Sequence, residues 1–389
     1  MLTRIWLTIK QHRFETIAIA VVCLGLTAAA LIESYRLNSL NSTISCLQTW
    51  QGPYMASQGP VTAAQQHCNE VAQSFMDMKN GTDMSLVGFL LAFAPVLVGI
   101  VFGAPLVARE IEQGTAPLSW ALSGSRRRWL LGKVLTGVLL LVPLMLAVGI
   151  VANMFDGAQN PGLDPYASFD NYLNRGVIDV FWALAAFAGT FALGTILGRT
   201  MPAVILALVV CFFVRVTWDG AMSHVVLRPY AIQQPTQDLT GTAGIYMGGS
   251  YGYYSGMTDM YVYQKIFLDG KEITQDQANT WFEQNMICAP VEMPTPSDAA
   301  SPGASSSPGD TSSPGALATP DNSKLGQAIA CGGPSGPTVD ISKTPQYVEY
   351  IIPGAWYWNV VALESGLLLL GSLFLGAVAF VWVDRRRPY

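Results

Sequence analysis

Six uninterrupted apolar runs leave this chain few folds to choose from: Phe14–Ile32, Ser85–Val107, Trp129–Val151, Val177–Leu197, Met201–Trp218 and Trp356–Val383. A hydrocarbon core of about 30 Å takes roughly 20 residues of helix to cross, and each run is close to that length. In lipid the backbone must satisfy its own hydrogen bonds, and the runs are continuous rather than alternating with period two, so they read as helices and not as barrel strands. Charged residues make up only 12% of the 389 positions, against about 25% in soluble domains, so most of the chain cannot face water. The fold class is an all-α membrane protein with six transmembrane helices.

Orientation follows from the basic residues. One side of the proposed spans collects Arg4, Lys10, Arg13, Arg109, Arg126, Arg127, Arg128, Lys133, Arg199, Arg385, Arg386 and Arg387, which is 12 of the 21 in short segments. The other nine are spread over far longer loops, so both termini are expected in the cytoplasm. The expected order is an interfacial helix at 1–13, span 1 at 14–32, an outer loop at 33–84, span 2 at 85–107 and a cytoplasmic elbow at 108–128. Span 3 at 129–151, an outer loop at 152–176, span 4 at 177–197 and span 5 at 201–218 follow. An outer segment at 219–355, span 6 at 356–383 and a cytoplasmic tail at 384–389 complete it.

The first span has a second reading as a cleaved signal peptide, because it ends in Ala28-Ala29-Ala30. Against this, the preceding segment is long for a leader, and Leu2, Ile5, Trp6 and Ile9 fall at helical spacing with Arg4 and Lys10 elsewhere, the pattern of a helix lying on the inner leaflet.

Cys23 and Cys211 lie inside spans, where a thiol is a small hydrophobe. Cys46, Cys68, Cys288 and Cys331 fall in the two large outer segments. Four cysteines permit three pairings. Cys46 with Cys68 and Cys288 with Cys331 is the one that needs no bridge between loops, and free surface thiols are the other possibility. The first outer loop has room for one or two short helices around Val61–Val71, and Thr274-Gln275-Asp276-Gln277 ahead of Trp281 predicts a short capped helix. Pro294–Pro320 repeats Ser-Pro-Gly at positions 301, 307 and 313, and such a composition predicts disorder.

The short cytoplasmic connection after span 2 is the most informative segment. It reads Val107-Ala108-Arg109-Glu110-Ile111-Glu112-Gln113-Gly114-Thr115-Ala116-Pro117, with glycine suited to stop a helix and Thr115 able to cap the next. Arg126, Arg127 and Arg128 then open span 3. Three positive charges at a helix N-terminus oppose the macrodipole, so anionic headgroups or a protein partner are expected to hold them.

Several chemistries are excluded or disfavoured. The pairs Gly132-Lys133 and Gly270-Lys271 lack the residues of a phosphate-cradling loop, so no nucleotide site is expected. The three histidines, at 12, 67 and 224, form no metal or hydrolytic motif, so no metal site and no catalytic residues are expected, and nothing suggests nucleic acid. Ionisable residues within spans are costly and are functional suspects. Asp179, Arg215 and Glu364 stand near one membrane depth as a possible ion pair. Gly99-x-x-x-Gly103 and Gly194-x-x-x-Gly198 permit close helix approach, more simply within one chain than between two.

The run from Glu110 to Thr115, followed by Ser125-Arg126 and Lys133, resembles the E-x-E-x-G-T, S-R and lysine pattern of type-2 ABC exporter permeases. Arg215, Leu227-Arg228-Pro229, Trp358 and Glu364 are similar to positions in bacterial members with long outer loops, whereas the proline-rich insert fits no feature of the family. The resemblance implies a non-catalytic membrane subunit in a bacterial plasma membrane. It also implies a second permease copy, identical or not, and two copies of a cytosolic ATPase that carry the ATP and magnesium. Arg109, Glu110, Glu112, Gly114, Thr115, Ser125, Arg126 and Lys133 would then form the elbow that couples to the ATPase, with Glu110 and Glu112 touching the ATPase or holding the arginines. The apolar spans suggest a hydrophobic or amphipathic cargo and lipid as a neighbour. The competing readings are a channel or carrier without an ATPase, and a membrane sensor or immunity protein whose outer loops do the work.

Overall fold

The computed structural model describes residues 13–40, 63–116, 118, 125–161, 163–233, 258–285 and 345–385. Among these, six helices are long and apolar enough to cross a membrane. Span 1 is α1 (Arg13–Leu40); α2 (Ala63–Lys79) follows it, and span 2 is α3 (Thr82–Gly103). The short α4 (Pro105–Glu112) precedes span 3, which is α5 (Arg126–Gln159). Spans 4 and 5 are α6 (Ile178–Leu197) and α7 (Thr200–Ala221). After β1 (Ile232–Gln233), β2 (Met260–Leu268), β3 (Lys271–Ile273), α8 (Gln275–Asn285) and β4 (Gln346–Ile352), span 6 is α9 (Tyr357–Arg385).

The expected interfacial helix at 1–13, apart from Arg13, and the low-complexity stretch 294–320 lie outside the described residues, as do Cys46, Cys288 and Cys331. Cys68 is disulfide-bonded, while Cys23 and Cys211 are free thiols.

The chain divides into two compact units. One comprises residues 1–232, 237–263 and 351–389 and contains all the spans; the other comprises 233–236 and 264–350. Span 4 is the centre of the first, with 61% of its most apolar window buried, against 17% for spans 5 and 6. It packs on spans 2, 3, 5 and 6, and its small residues allow this.

Without a hydrophobic force between helices in lipid, association depends on close van der Waals approach, which glycine and alanine permit. A Cβ at Gly99 would meet Ala183 O at 2.4 Å, and one at Gly103 would meet Phe187 O at 2.5 Å. Gly194 faces Ala104 O at 3.2 Å. Gly99, Gly103 and Gly194 thus contribute to one seam between span 2 and span 4, while Gly198 ends span 4 in the left-handed conformation at φ 65°.

The strands lie in one sheet in the order β1-β4-β2-β3, and β2 pairs antiparallel with β3 in the register Ile266↔Ile273 and Leu268↔Lys271. Asp269 and Gly270, at φ 49° and 74°, make the two-residue hairpin turn between β2 and β3, which needs left-handed backbone. The helix expected near Trp281 is α8, opened by a reciprocal cap. Gln277 N donates to Thr274 Oγ1 at 3.3 Å, and Thr274 N donates to Gln277 Oε1 at 2.9 Å.

Candidate functional site: the elbow and two polar clusters

Proline 105 breaks the helix that leaves span 2 after Ala104, and α4 continues for two turns as a separate segment with proline at its first position. Leu106, Val107 and Ala108 are buried against the bundle, whereas Arg109, Glu112, Gln113, Gly114 and Thr115 are exposed. Gly114 ends the helix at φ 70°, as its sequence position suggests, with its N–H donating to Ile111 O at 3.2 Å. Thr115 precedes a helix that lies largely outside the described residues. The Thr115 N–H and hydroxyl both turn back to Glu110 O, at 3.0 and 3.3 Å. Ser125 caps span 3, its side chain accepting from Arg128 N at 3.3 Å.

The two glutamates are engaged inside the chain. Glu110 Oε1 forms an ion pair with Lys133 Nζ on span 3 at 2.6 Å, and Glu110 Oε2 accepts from Trp129 Nε1 at 3.2 Å. Glu112 Oε2 accepts from both the backbone N–H and the hydroxyl of Thr200, at 3.0 and 2.9 Å. It thereby caps the first turn of span 5, whose own N-cap residue, Arg199, makes no side-chain cap.

The arginines have partners within the chain as well as whatever surrounds it. Arg127 pairs with Asp384 at the end of span 6 at 2.6 Å, and Arg126 donates to the carbonyls of Val383 and Asp384, both at 3.4 Å. The macrodipole explains the arrangement: the positive charges that are unfavourable at the start of span 3 satisfy the negative C-terminus of span 6. The elbow and the start of span 3 are therefore joined by polar contacts to spans 5 and 6. None of the contacts to Thr200 or Asp384 is visible in sequence, since the partners lie 88 and 257 residues away.

At the opposite ends of the spans, Asp179, Arg215 and Glu364 share one layer but form no direct ion pair. Arg215 donates to Asn174 Oδ1 and to Leu173 O at 3.2 Å, and its guanidinium lies 4.9 Å from the Trp182 ring centroid. Glu364 Oε1 accepts from Trp218 Nε1 at 2.6 Å. Trp218 in turn packs edge-on against Trp182, so aromatic rings stand where the carboxylates were expected to meet the arginine. Both Asp179 oxygens, Glu364 Oε2, Trp182 Nε1, Ser365 Oγ and the Tyr172 hydroxyl are buried without a hydrogen-bond partner. Burial pushes the Tyr172 phenol above its ordinary value, and the nearby Glu364 carboxyl adds to that.

A second polar cluster closes the loop between spans 3 and 4. Arg175, almost wholly buried, reaches Asp156 and donates to Ser168 O at 2.7 Å. Asn171 donates to Asp156 Oδ1 at 3.2 Å, Lys79 donates to Asn160 Oδ1 at 2.8 Å, and Asn160 donates to Asp170. Burial lowers the Lys79 amine from its ordinary value, with Asp170 and Asp156 opposing that shift. Polar composition is the one sign of this cluster in the sequence, because its members come from one loop and the ends of two helices.

Six apolar helices, one of them a central small-residue span, define a multi-pass membrane protein. The family described as ABC-2 membrane transporter related matches residues 16–222, just over half of the chain, with α4 and its contacts to Lys133 and Thr200 inside the match. The chain belongs to that family and is a membrane component of a transporter. Neither a curated protein nor a solved structure matches it.

Proposed function

We propose that this chain is the permease subunit of an ABC-type exporter, in which a separate cytosolic ATPase drives a hydrophobic or amphipathic substrate across or out of the membrane. The observation that carries the reading is the wiring of α4. Its outer face at Arg109 and Glu112, and the turn Gln113–Thr115 after it, are exposed, while its glutamates hold span 3 through Lys133 and span 5 through Thr200. A push on that face reaches two further spans through short, charge-assisted bonds, and a flexible loop would dissipate it.

In this reading both termini are cytoplasmic, two ATPase copies supply ATP and magnesium, and a second permease copy completes the assembly. Spans 5 and 6, the least buried, offer the surface for that copy or for lipid. Cargo selection falls to the outer segments, fastened by disulfides at Cys46–Cys68 and Cys288–Cys331. The layer of Asp179, Arg215 and Glu364 would act as a polar constriction that opens when spans 4, 5 and 6 move apart.

The test is reconstitution of the full assembly in nanodiscs with a panel of hydrophobic compounds. Nucleotide hydrolysis should rise with the right compound and lose that response, while keeping its basal rate, when Glu112→Ala frees span 5 from the elbow. Hydrolysis that responds to cargo equally well in the variant would contradict the wiring. A chain that purifies with no ATPase at all would favour a sensor or channel role.

A further inference from the structure

Where α2 runs into span 2, a cavity of about 290 Å³ opens between spans 2 and 3. At roughly 30 Å³ per water, that is room for about ten waters or for one small polar headgroup. Its lining has two characters. Lys79, Arg175 and Asp156 lie on the polar side, and Met84, Phe89 and Phe155 on the apolar side.

The polar side has donors to spare. Among the described residues, the Lys79 amine donates to Asn160 alone and forms no ion pair, with Asp170 and Asp156 nearby. Arg175 commits its terminal nitrogens to Asp156 and Ser168 O and is 1% exposed, so it sets a fixed positive charge in the cavity wall. The first turn of span 2, which no side chain caps and which carries Asp83, lies at the same wall, with Met84 and Ser85 lining the cavity. The acids are already engaged, Asp156 with Arg175 and Asn171, and Asp170 with Asn160. The lining carries two cations, Lys79 and Arg175, against the one carboxylate of Asp156, and this net single positive charge suits a headgroup of one negative charge better than a polyanion.

The neighbouring turns of spans 2 and 3 carry Leu86, Phe89, Ile150 and Met154, each more than half exposed. An apolar surface running from a polar pocket at a helix end matches the shape of an amphiphile. We propose that this cavity binds the phosphodiester headgroup of a membrane phospholipid, with the acyl chains lying along spans 2 and 3. The site rests on this chain alone, so it stands or falls independently of any ATPase partner.

The test is native mass spectrometry and thermal unfolding of the full-length chain in detergent. Phosphatidylethanolamine, phosphatidylglycerol, diacylglycerol and inorganic phosphate are added separately. One phospholipid of either kind should remain bound per chain and raise the melting temperature, with no effect of diacylglycerol or phosphate. Lys79→Gln should weaken retention roughly tenfold, the loss of one charge-assisted contact. Gly88→Leu, at a position where a Cβ lies 3.9 Å from Phe155 and a longer side chain fills the cavity, should abolish retention in a chain that still unfolds cooperatively.

Equal stabilisation by diacylglycerol would reduce the site to apolar packing. Equal stabilisation by phosphate would make it a free-anion site. Undiminished phospholipid retention in both variants would place the lipid elsewhere. Each of these results overturns the proposal.

Discussion

Removing the Glu110 carboxylate should be among the most damaging single changes outside the span interiors. Glu110 and Lys133 are 16% and 9% exposed and 2.6 Å apart. At an effective dielectric constant of about 20, unit charges at that distance attract by about 6 kcal/mol, much of it offset by the cost of taking both out of water. Deleting one partner leaves the other charge buried alone, which typically costs about 3–5 kcal/mol. Glu110→Gln also weakens the acceptor for Trp129 Nε1.

The paired change Glu110→Gln with Lys133→Met removes both charges and should recover most of the loss. A double-mutant cycle read by urea or thermal unfolding in detergent, with Trp fluorescence as the signal, isolates the coupling. We expect a coupling of at least about 2 kcal/mol. Single losses that simply add in the double variant would show that the two groups do not stabilise one another, and the elbow's attachment to span 3 would have to be explained otherwise.

Other outcomes follow from the same geometry. Gly99→Leu should collapse the seam between spans 2 and 4, because its Cβ alone would sit 2.4 Å from Ala183 O, and overpacking of this kind costs about 1–3 kcal/mol or more; unchanged thermal stability would refute it. The Arg127–Asp384 pair is exposed on the arginine side, so the effect of Asp384→Asn on stability should fade as salt is raised from low to physiological ionic strength, and a salt-independent effect would contradict a screened contact. Lys79 has a folded-state value below the ordinary 10.5, so the unfolded chain binds more protons between those two values. Lipid-free stability should therefore rise with pH across that window and fall no further below it, and Lys79→Gln should flatten the rise in a pH series of unfolding midpoints.

The spans were legible because length and apolarity alone determine them in a membrane, and all six apolar runs lie in helices. Their ends were less so. Span 1 continues to Leu40 and span 3 to Gln159, because polar residues such as Arg36 and Asp156 form ion pairs that keep the helix going past the apolar run. Gly114 was readable as a helix stop because that role depends on local backbone chemistry, whereas the Ser125 cap was not singled out.

The long-range contacts were not. Glu112 finds Thr200, and Arg127 finds Asp384, through the packing of span 4 and its neighbours, which no local pattern encodes. The same holds for Arg215: sequence places it near two carboxylates, and only packing sets it over Trp182 and gives Glu364 to Trp218.

The account rests on the exposed tip of the elbow lying in the cytoplasm against an ATPase. A single cysteine at Gln113, exposed beside Gly114, tests this in intact cells with a membrane-impermeant maleimide and a short bifunctional crosslinker. The thiol should be silent to the maleimide until the cells are opened, and should crosslink to a P-loop ATPase in a yield that changes with bound nucleotide. Labelling of intact cells, or crosslinking to no nucleotide-binding protein, would contradict it.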